Sequence, residues 1–275
     1  MSECNNNCSS CSEGSCPSRK SESMLQPLNE LSKVKKVIGV VSGKGGVGKS
    51  TVTALLASMC AQQGHRVAVL DADITGPSIP KAFGVKEKAY AAAENLLLPA
   101  KTAGGIQIMS VNLVLEDETK PVIWRGPILA GVVKQFWGET YWNDVDYMFV
   151  DMPPGTGDVP LTVFQSIPLN GIVIVTTPQD LVSMIVEKAV NMAKIMNIPI
   201  VALVENMSYY VCPHCGEQLY PFGKSKLEET AKKVGVDCAV RLPVDAAVTA
   251  AFDEGQAENL QRPELSLVLE KIEKL

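Results

Sequence analysis

Short, nearly unbroken apolar runs recur along the chain: Val37–Val41, Arg66–Leu70, Ile106–Val111, Tyr147–Val150, Gly171–Val175, Ile200–Val204 and Ala239–Leu242. They are rich in Val and Ile and lack the strict alternation of a half-solvated strand. This predicts strands buried on both faces of a parallel sheet. Helix-length stretches lie between several of them. Ser50–Gln63 is apolar at most positions and stops at Gly64, a residue suited to the left-handed position after a helix. Leu181–Met196 is similar and stops before Ile198 and Pro199. The alternation predicts one α/β domain over residues 33–275, a doubly wound, mostly parallel sheet without internal repeat. Residues 2–23 hold no Val, Ile, Leu, Phe, Met, Tyr or Trp. Such a segment cannot bury enough apolar surface to offset its ordering entropy, so residues 1–32 are expected to form a flexible tail.

Composition adds exclusions. Of 275 residues, 46% are hydrophobic and 20% charged, with a formal net charge of −5, which suits a packed core. The negative balance leans against a broad nucleic-acid face, which needs clustered Lys and Arg. No stretch of 18 uninterrupted apolar residues predicts a membrane span. The opening MSECNNNCSS lacks the basic and apolar regions of an export signal, so a cytoplasmic location is the default expectation. In a reducing compartment, clustered cysteines bind metal or do redox chemistry rather than form disulfides. Six of the eight cysteines are clustered, at 4, 8, 11, 16, 212 and 215, whereas Cys60 and Cys238 sit in apolar runs and are expected to be inert core residues.

Directly after the first predicted strand comes Gly43-Lys44-Gly45-Gly46-Val47-Gly48-Lys49-Ser50, which fits G-x-x-x-x-G-K-[ST] without a mismatch. Glycines let backbone N–H groups converge on phosphate oxygens, and the helix that follows, opening through Thr51, adds its N-terminal dipole. Lys49 is placed to neutralise the β- and γ-phosphates of ATP, and the Ser50 hydroxyl to reach Mg²⁺. Lys44 is a second cation within the loop. Asp151 ends an apolar strand and so faces the ligand crevice, where it can hold Mg²⁺ through water. Met152 to Asp158 read as a switch loop that senses the γ-phosphate. Asp71 and Asp73 follow another strand at the same sheet edge, and one of them is expected to position the attacking water.

Cys212-Pro-His-Cys215-Gly makes a tight knuckle aiming two thiolates at one centre. A thioredoxin-like redox pair would open a helix, but the flanks here read as loop or hairpin, which favours a metal. A closed zinc or iron–sulfur site needs about four ligands and the knuckle supplies two. A two-fold dimer would bring two knuckles together. Alternatively, the tail would donate Cys4, Cys8, Cys11 or Cys16, or bind its own cluster.

These stretches, with Asp71-Ala-Asp-Ile-Thr-Gly-Pro-Ser78, Trp124-Arg-Gly-Pro127, Asp151-Met-Pro-Pro-Gly-Thr-Gly-Asp158 and Glu205-Asn-Met-Ser208, resemble the Mrp (ApbC-like) family of iron–sulfur cluster carrier P-loop ATPases. That family belongs to the deviant-Walker-A class with MinD, ParA and the nitrogenase iron protein. The resemblance covers about residues 30–275 and implies a SIMIBI-type P-loop NTPase fold. It implies that Lys44 contacts phosphates across a homodimer and that Asp73 orients water. It further implies that Asn206 contacts adenine, with Pro243 to Asp245 near the base. Cys212 and Cys215 would hold a labile [4Fe–4S] cluster between subunits, received from an assembly scaffold and passed to apo-proteins. The tail is shorter and differently spaced than the ferredoxin-like extension of eukaryotic cytosolic relatives. No role for Trp124 to Pro127 follows from the residues.

Three other functions compete. A MinD- or ParA-like positioning ATPase would need a basic membrane helix or a DNA face, and the C-terminal segment Pro263–Leu275 is amphipathic without a basic face. A redox ATPase like the nitrogenase iron protein disperses its cluster cysteines. A zinc-stabilised nucleotide-binding scaffold would use the same knuckle with zinc in place of iron.

Overall fold

The computed structural model describes residues 24–74, 76–93, 95–115, 126–155, 157–181 and 184–275. The chain runs through β1 (Val34–Ser42), α1 (Lys49–Gln62), β2 (Val67–Asp71), α2 (Ile79–Ala82), β3 (Tyr90–Ala93), β4 (Leu96–Leu98), β5 (Ala100–Lys101) and β6 (Gln107–Met109). It continues through α3 (Val111–Val114), α4 (Gly126–Gly138), β7 (Val145–Asp151), α5 (Asp158–Ser166), β8 (Gly171–Thr176), α6 (Met184–Ile195) and β9 (Ile200–Val211). Last come β10 (Gln218–Leu219), α7 (Leu227–Val234), β11 (Ala239–Pro243), α8 (Ala246–Asp253) and α9 (Ser266–Glu273).

The central sheet orders its strands β9-β8-β1-β7-β2-β6-β5, with β11 on the outer side of β9 and β10 at its far end. Pairing is parallel except for β5 with β6 and β10 with β9. All seven apolar runs are strands of this sheet. Every residue of β2 and β8 is buried, as the absence of alternation requires of strands covered on both faces. Helix α1 is buried without interruption from Val52 to Cys60. One side lies on the sheet. The other is covered by the chain near Ala257, whose carbonyl accepts from Ser58 Oγ at 3.0 Å.

The run Ile106–Val111 contributes a shorter strand than its apolarity suggests. The strand ends at Met109 and Val111 opens α3, because Ser110 leaves the ladder to bond Asp71. Similarly, Leu181 belongs to a 3₁₀ turn over Pro178–Leu181 and α6 begins at Met184. The small β3–β4 sheet was not evident from the sequence, since Tyr90–Ala93 is exposed throughout and carries no burial signal. In α9, Val268, Leu269 and Ile272 are buried, so the amphipathic C-terminal segment faces the core. No helix among the described residues is long and apolar enough to cross a membrane.

The last part of the expected tail is held on the domain. The Gln26 N–H donates to the Ser166 carbonyl at 2.8 Å, and Trp137 Nε1 donates to the Gln26 carbonyl at 2.8 Å. Ser32 Oγ donates to the Thr140 carbonyl, and Leu28 packs against the core. The folded unit therefore reaches back to residue 26, and Cys4, Cys8, Cys11 and Cys16 lie outside the described residues. A chain beginning at residue 24 is expected to keep this packing. One beginning at residue 33 uncovers Trp137 and is expected to lose roughly 1–3 kcal/mol for the apolar area returned to water. Urea unfolding of the two truncations checks this.

Candidate functional site

Parallel pairing aligns the carboxyl ends of the strands. Val40 on β1 is the register partner of Asp151 on β7, and Asp151 is the partner of Asp71 on β2. The loop Gly43–Gly48 leaves β1 at this edge and leads into α1. Gly46 and Gly48 take φ of +79° and +82°, a region that other residues enter at a cost. Val47 between them is buried and anchors the loop in the core. Gly48 caps α1 without a side-chain hydrogen bond, which leaves the first-turn N–H groups open to an anion. Gly43, Lys44, Ser50 and Thr51 are partly buried, while Gly45 and Gly46 are exposed.

Lys49 is only 6% exposed. Its ammonium lies 2.8 Å from Asp151 Oδ1 and 3.6 Å from Asp73 Oδ2. Asp151 is fully buried and also accepts from Thr53 Oγ1 at 2.9 Å and from Ser50 Oγ at 2.6 Å. Thus Lys49, Ser50, Asp73 and Asp151, singled out from the sequence, converge on one point. Thr53 was missed. Its signal was available: it lies one helical turn after Lys49, on the same face of α1.

The two carboxylates of β2 separate in role. Asp71 is fully buried and accepts from Ser110 Oγ at 3.0 Å and from the N–H groups of Asp73 and Ile79 at 3.2 and 3.4 Å. Burial, and next the negative charge of Asp151, push its pKa well above the usual carboxylate range. Asp71 therefore shapes the turn that presents Asp73, and Asp73 is the one that faces Lys49. The loop after Asp151 is tied to β1: the N–H of Met152 donates to the Val40 carbonyl at 3.1 Å, and that of Gly155 to the Ser42 carbonyl at 2.8 Å. The Asp158 side chain and the stretch Trp124 to Pro127, apart from the backbone of its last two residues, lie outside the described residues.

Asn206 sits directly on the phosphate loop. Its Nδ2 donates to the Val47 carbonyl at 3.0 Å. A Cβ on Gly48 would fall 2.1 Å from the same nitrogen, so any other residue there would displace the Asn206 amide as well as strain the positive φ. Pro243 ends β11 opposite Tyr209, and the Val244 N–H donates to the Tyr209 carbonyl at 2.7 Å. Asp245 is structural. It caps α8 through the Ala247 N–H and pairs with Arg262, which holds its carboxyl below the usual range.

Strand β9 continues to Val211 and pairs with β10, so the cysteine knuckle is the tip of a hairpin. The Cys212 N–H donates to the Glu217 carbonyl and the Gly216 N–H to the Cys212 carbonyl, both at 2.9 Å. Gly216 takes φ of +74° to close the turn. The N–H groups of His214 and Cys215 point at the Cys212 sulfur and hold its pKa below the ordinary thiol value. Cys212 is half-buried, Cys215 exposed, and both are free thiols. Among the described residues, no three His, Cys, Asp or Glu side chains are grouped to hold a metal ion. Cys60 and Cys238 are buried; burial pushes the Cys60 thiol up to about 12 and raises that of Cys238, as inert core residues require.

Residues 33–275 match the family model described as ParA, NUBPL iron-transfer P-loop NTPase. The chain is 47% identical over 246 residues to the iron-sulfur cluster carrier protein of Clostridium perfringens, covering 86% of each chain. It is 44% identical over 260 residues to that of Methanocaldococcus jannaschii, covering 93% of this chain and 90% of the relative. Among solved structures, the nucleotide-binding protein of Archaeoglobus fulgidus in complex with ADP, with cobalt, aligns at a TM-score of 0.76 and 42% identity over 85% of this chain and 91% of that one. The cell division ATPase MinD of Pyrococcus furiosus aligns at a TM-score of 0.60 and 20% identity, over 87% of this chain and 98% of that one, a likeness of fold. With this phosphate loop and these matches, the chain belongs to the NUBPL iron-transfer P-loop NTPases of the ParA family.

Proposed function

We propose that this protein is an ATP-hydrolysing iron–sulfur cluster carrier. Two copies hold a labile [4Fe–4S] cluster between them and pass it to apo-proteins in the cytoplasm, after loading from an assembly scaffold. The observation that carries the reading is the knuckle: two free thiols, one with N–H groups aimed at its sulfur, at the tip of a hairpin with no third ligand beside them among the described residues. A pair of this kind is half a tetrahedral site, and a two-fold axis supplies the other half. The name carried by the relatives, iron-sulfur cluster carrier protein, supports the same cargo.

The nucleotide half follows from the phosphate loop. The open N–H groups of α1, with Lys49, neutralise the phosphates of ATP, and Lys44 meets phosphate across the dimer. Asp73, beside Lys49, orients the attacking water. Ser50 Oγ and the Asp151 carboxylate, 2.6 Å apart, are hard oxygen donors of the kind Mg²⁺ prefers, the carboxylate acting through water. Mg²⁺ bound there would supply charge neutralisation for the phosphates. Asn206, whose amide meets the loop at Val47, contacts the adenine base, with Pro243, at the end of β11 opposite Tyr209, close to it. A positioning ATPase of the MinD or ParA kind leaves the knuckle without use, and α9 spends its apolar face on the core.

Three outcomes test the reading. Lys49→Ala is expected to lower ATP turnover by at least about a hundredfold, the loss typical of one charge-stabilising group. It also strips buried Asp151 of its cation, at about 3–5 kcal/mol, so thermal unfolding is measured alongside turnover. Cys215→Ala is expected to lose bound iron and sulfide after anaerobic reconstitution, while ATP affinity stays within about twofold, as for well-separated sites. Iron content unchanged in that variant refutes the ligand. In the wild-type protein, iron and sulfide are expected at one cluster per dimer by mass; stoichiometric zinc without iron would make the protein a zinc-stabilised scaffold instead.

A further inference from the structure

Between the phosphate loop and the knuckle lies a buried cluster that neither half uses. Glu205 is fully buried within β9, near the carboxyl edge of the sheet. Its Oε1 accepts from Ser208 Oγ, also fully buried, at 2.6 Å, and its Oε2 has no hydrogen-bond partner among the described residues. The residues spanned by this bond, Asn206 and Met207, form a bulge. From Glu205 to Tyr209, β9 advances four residues while β11 advances two, from Arg241 to Pro243. Met207 takes φ of +55°, a left-handed conformation uncommon for any residue but glycine. Bulges of this kind re-aim side chains beside functional sites. Here the bulge turns Asn206 onto the Val47 carbonyl of the phosphate loop.

The same strand then runs on through Tyr209 to Val211 and into Cys212, six residues beyond Asn206. Strand β9 thus touches the nucleotide loop at one point and carries the cysteines at its tip. Extra residues in a bulge would ordinarily absorb a displacement, because the ladder is interrupted there. The Glu205–Ser208 bond closes across the bulge and makes it one body with the strand. The other carboxylate oxygen, Oε2, makes no hydrogen bond among the described residues, so Ser208 is the partner that fixes the Glu205 side chain.

We propose that Glu205 and Ser208 are positioning residues that couple the phosphate loop to the cysteine knuckle. ATP contacting the loop shifts the Val47 carbonyl. Asn206 follows it, and the clasped bulge passes the shift along β9 to Cys212. The inference rests on the carrier reading and adds to it the path by which nucleotide alters the hold on the cluster.

The test is the rate at which an iron chelator strips the anaerobically reconstituted dimer, with and without Mg-ATP, expressed as a ratio. A wild-type ratio differing from one by about fivefold or more, in either direction, is expected for a coupled pair of sites, with Ser208→Ala bringing it below about twofold and Ser208→Thr restoring it. Cluster content and ATP affinity of Ser208→Ala are expected to stay at wild-type values, which a general loss of structure would not allow. A wild-type ratio kept by Ser208→Ala overturns the clasp and leaves the carrier standing. A wild-type ratio of one, with the cluster bound, overturns the coupling itself; no cluster at all overturns the carrier reading and the clasp together. Should Ser208→Ala fail to fold, hydrogen exchange on the wild-type protein decides. Mg-ATP is expected to change protection across Met207–Cys212, and no change there refutes the path.

Discussion

The contact on which the site depends is the buried ion pair between Lys49 and Asp151. Neither group has appreciable access to water, and taking two charges out of solvent costs more than their attraction readily returns. The pair is tolerable because Asp151 is also met by Thr53 and Ser50, so both carboxylate oxygens are satisfied. It imposes a strict arrangement. Strand β7 must lie beside β1, their ends must register, and α1 must begin immediately after the loop. What this secures is preorganisation: the phosphate-loop lysine is held within the sheet edge, with Asp73 as a second anchor.

From that edge the fold divides its work by strand. Strands β1, β2 and β7 each stop at a polar residue where the apolar run gives out, at Ser42, Asp71 and Asp151, beside the phosphate loop. Strand β9, on the other side of β8, does not stop there. It passes the edge, bulges against the loop at Asn206, and continues as a free hairpin. The extension is held from the side by β11 only as far as Tyr209. Beyond it, Tyr210, Val211, Leu219, Tyr220 and Phe222 stand exposed around the knuckle. Apolar side chains left uncovered beside the two cysteines suit the proposed dimer, in which a second copy covers them.

Much of this was legible in the sequence, because the strongest signals are local. Seven β-branched runs gave seven strands, and the phosphate loop declared itself through glycines whose positive φ few residues accept. What escaped was set by contacts between distant segments. Ser110 ends its strand early because Asp71, 39 residues away, needs a donor. Gln26 looks like tail in composition, yet its backbone is claimed by Trp137 and Ser166. Thr53 and Ser208 look like ordinary small polar residues until Asp151 and Glu205 are placed beside them. Asp71 and Asp73 are alike in sequence, and only burial assigns one to hold the turn and the other to face the lysine.

On the proposed reading, the cysteine knuckle is a site for cargo. A structural metal centre is closed by its own chain, and its binding energy becomes folding energy. Here the core is assembled without it. The hairpin contributes little to the buried cluster, the turn is shaped by its own backbone bonds and by Gly216, and Cys215 stays open to solvent. Losing the cluster would therefore leave the domain folded and the thiols correctly spaced to receive another. A full cage within one chain would bind more tightly and release less readily, which defeats transfer. On the proposed reading, half a cage per chain makes retention depend on how two copies are held together, and a nucleotide bound beside Asn206, six residues before Cys212 on β9, is placed to adjust it.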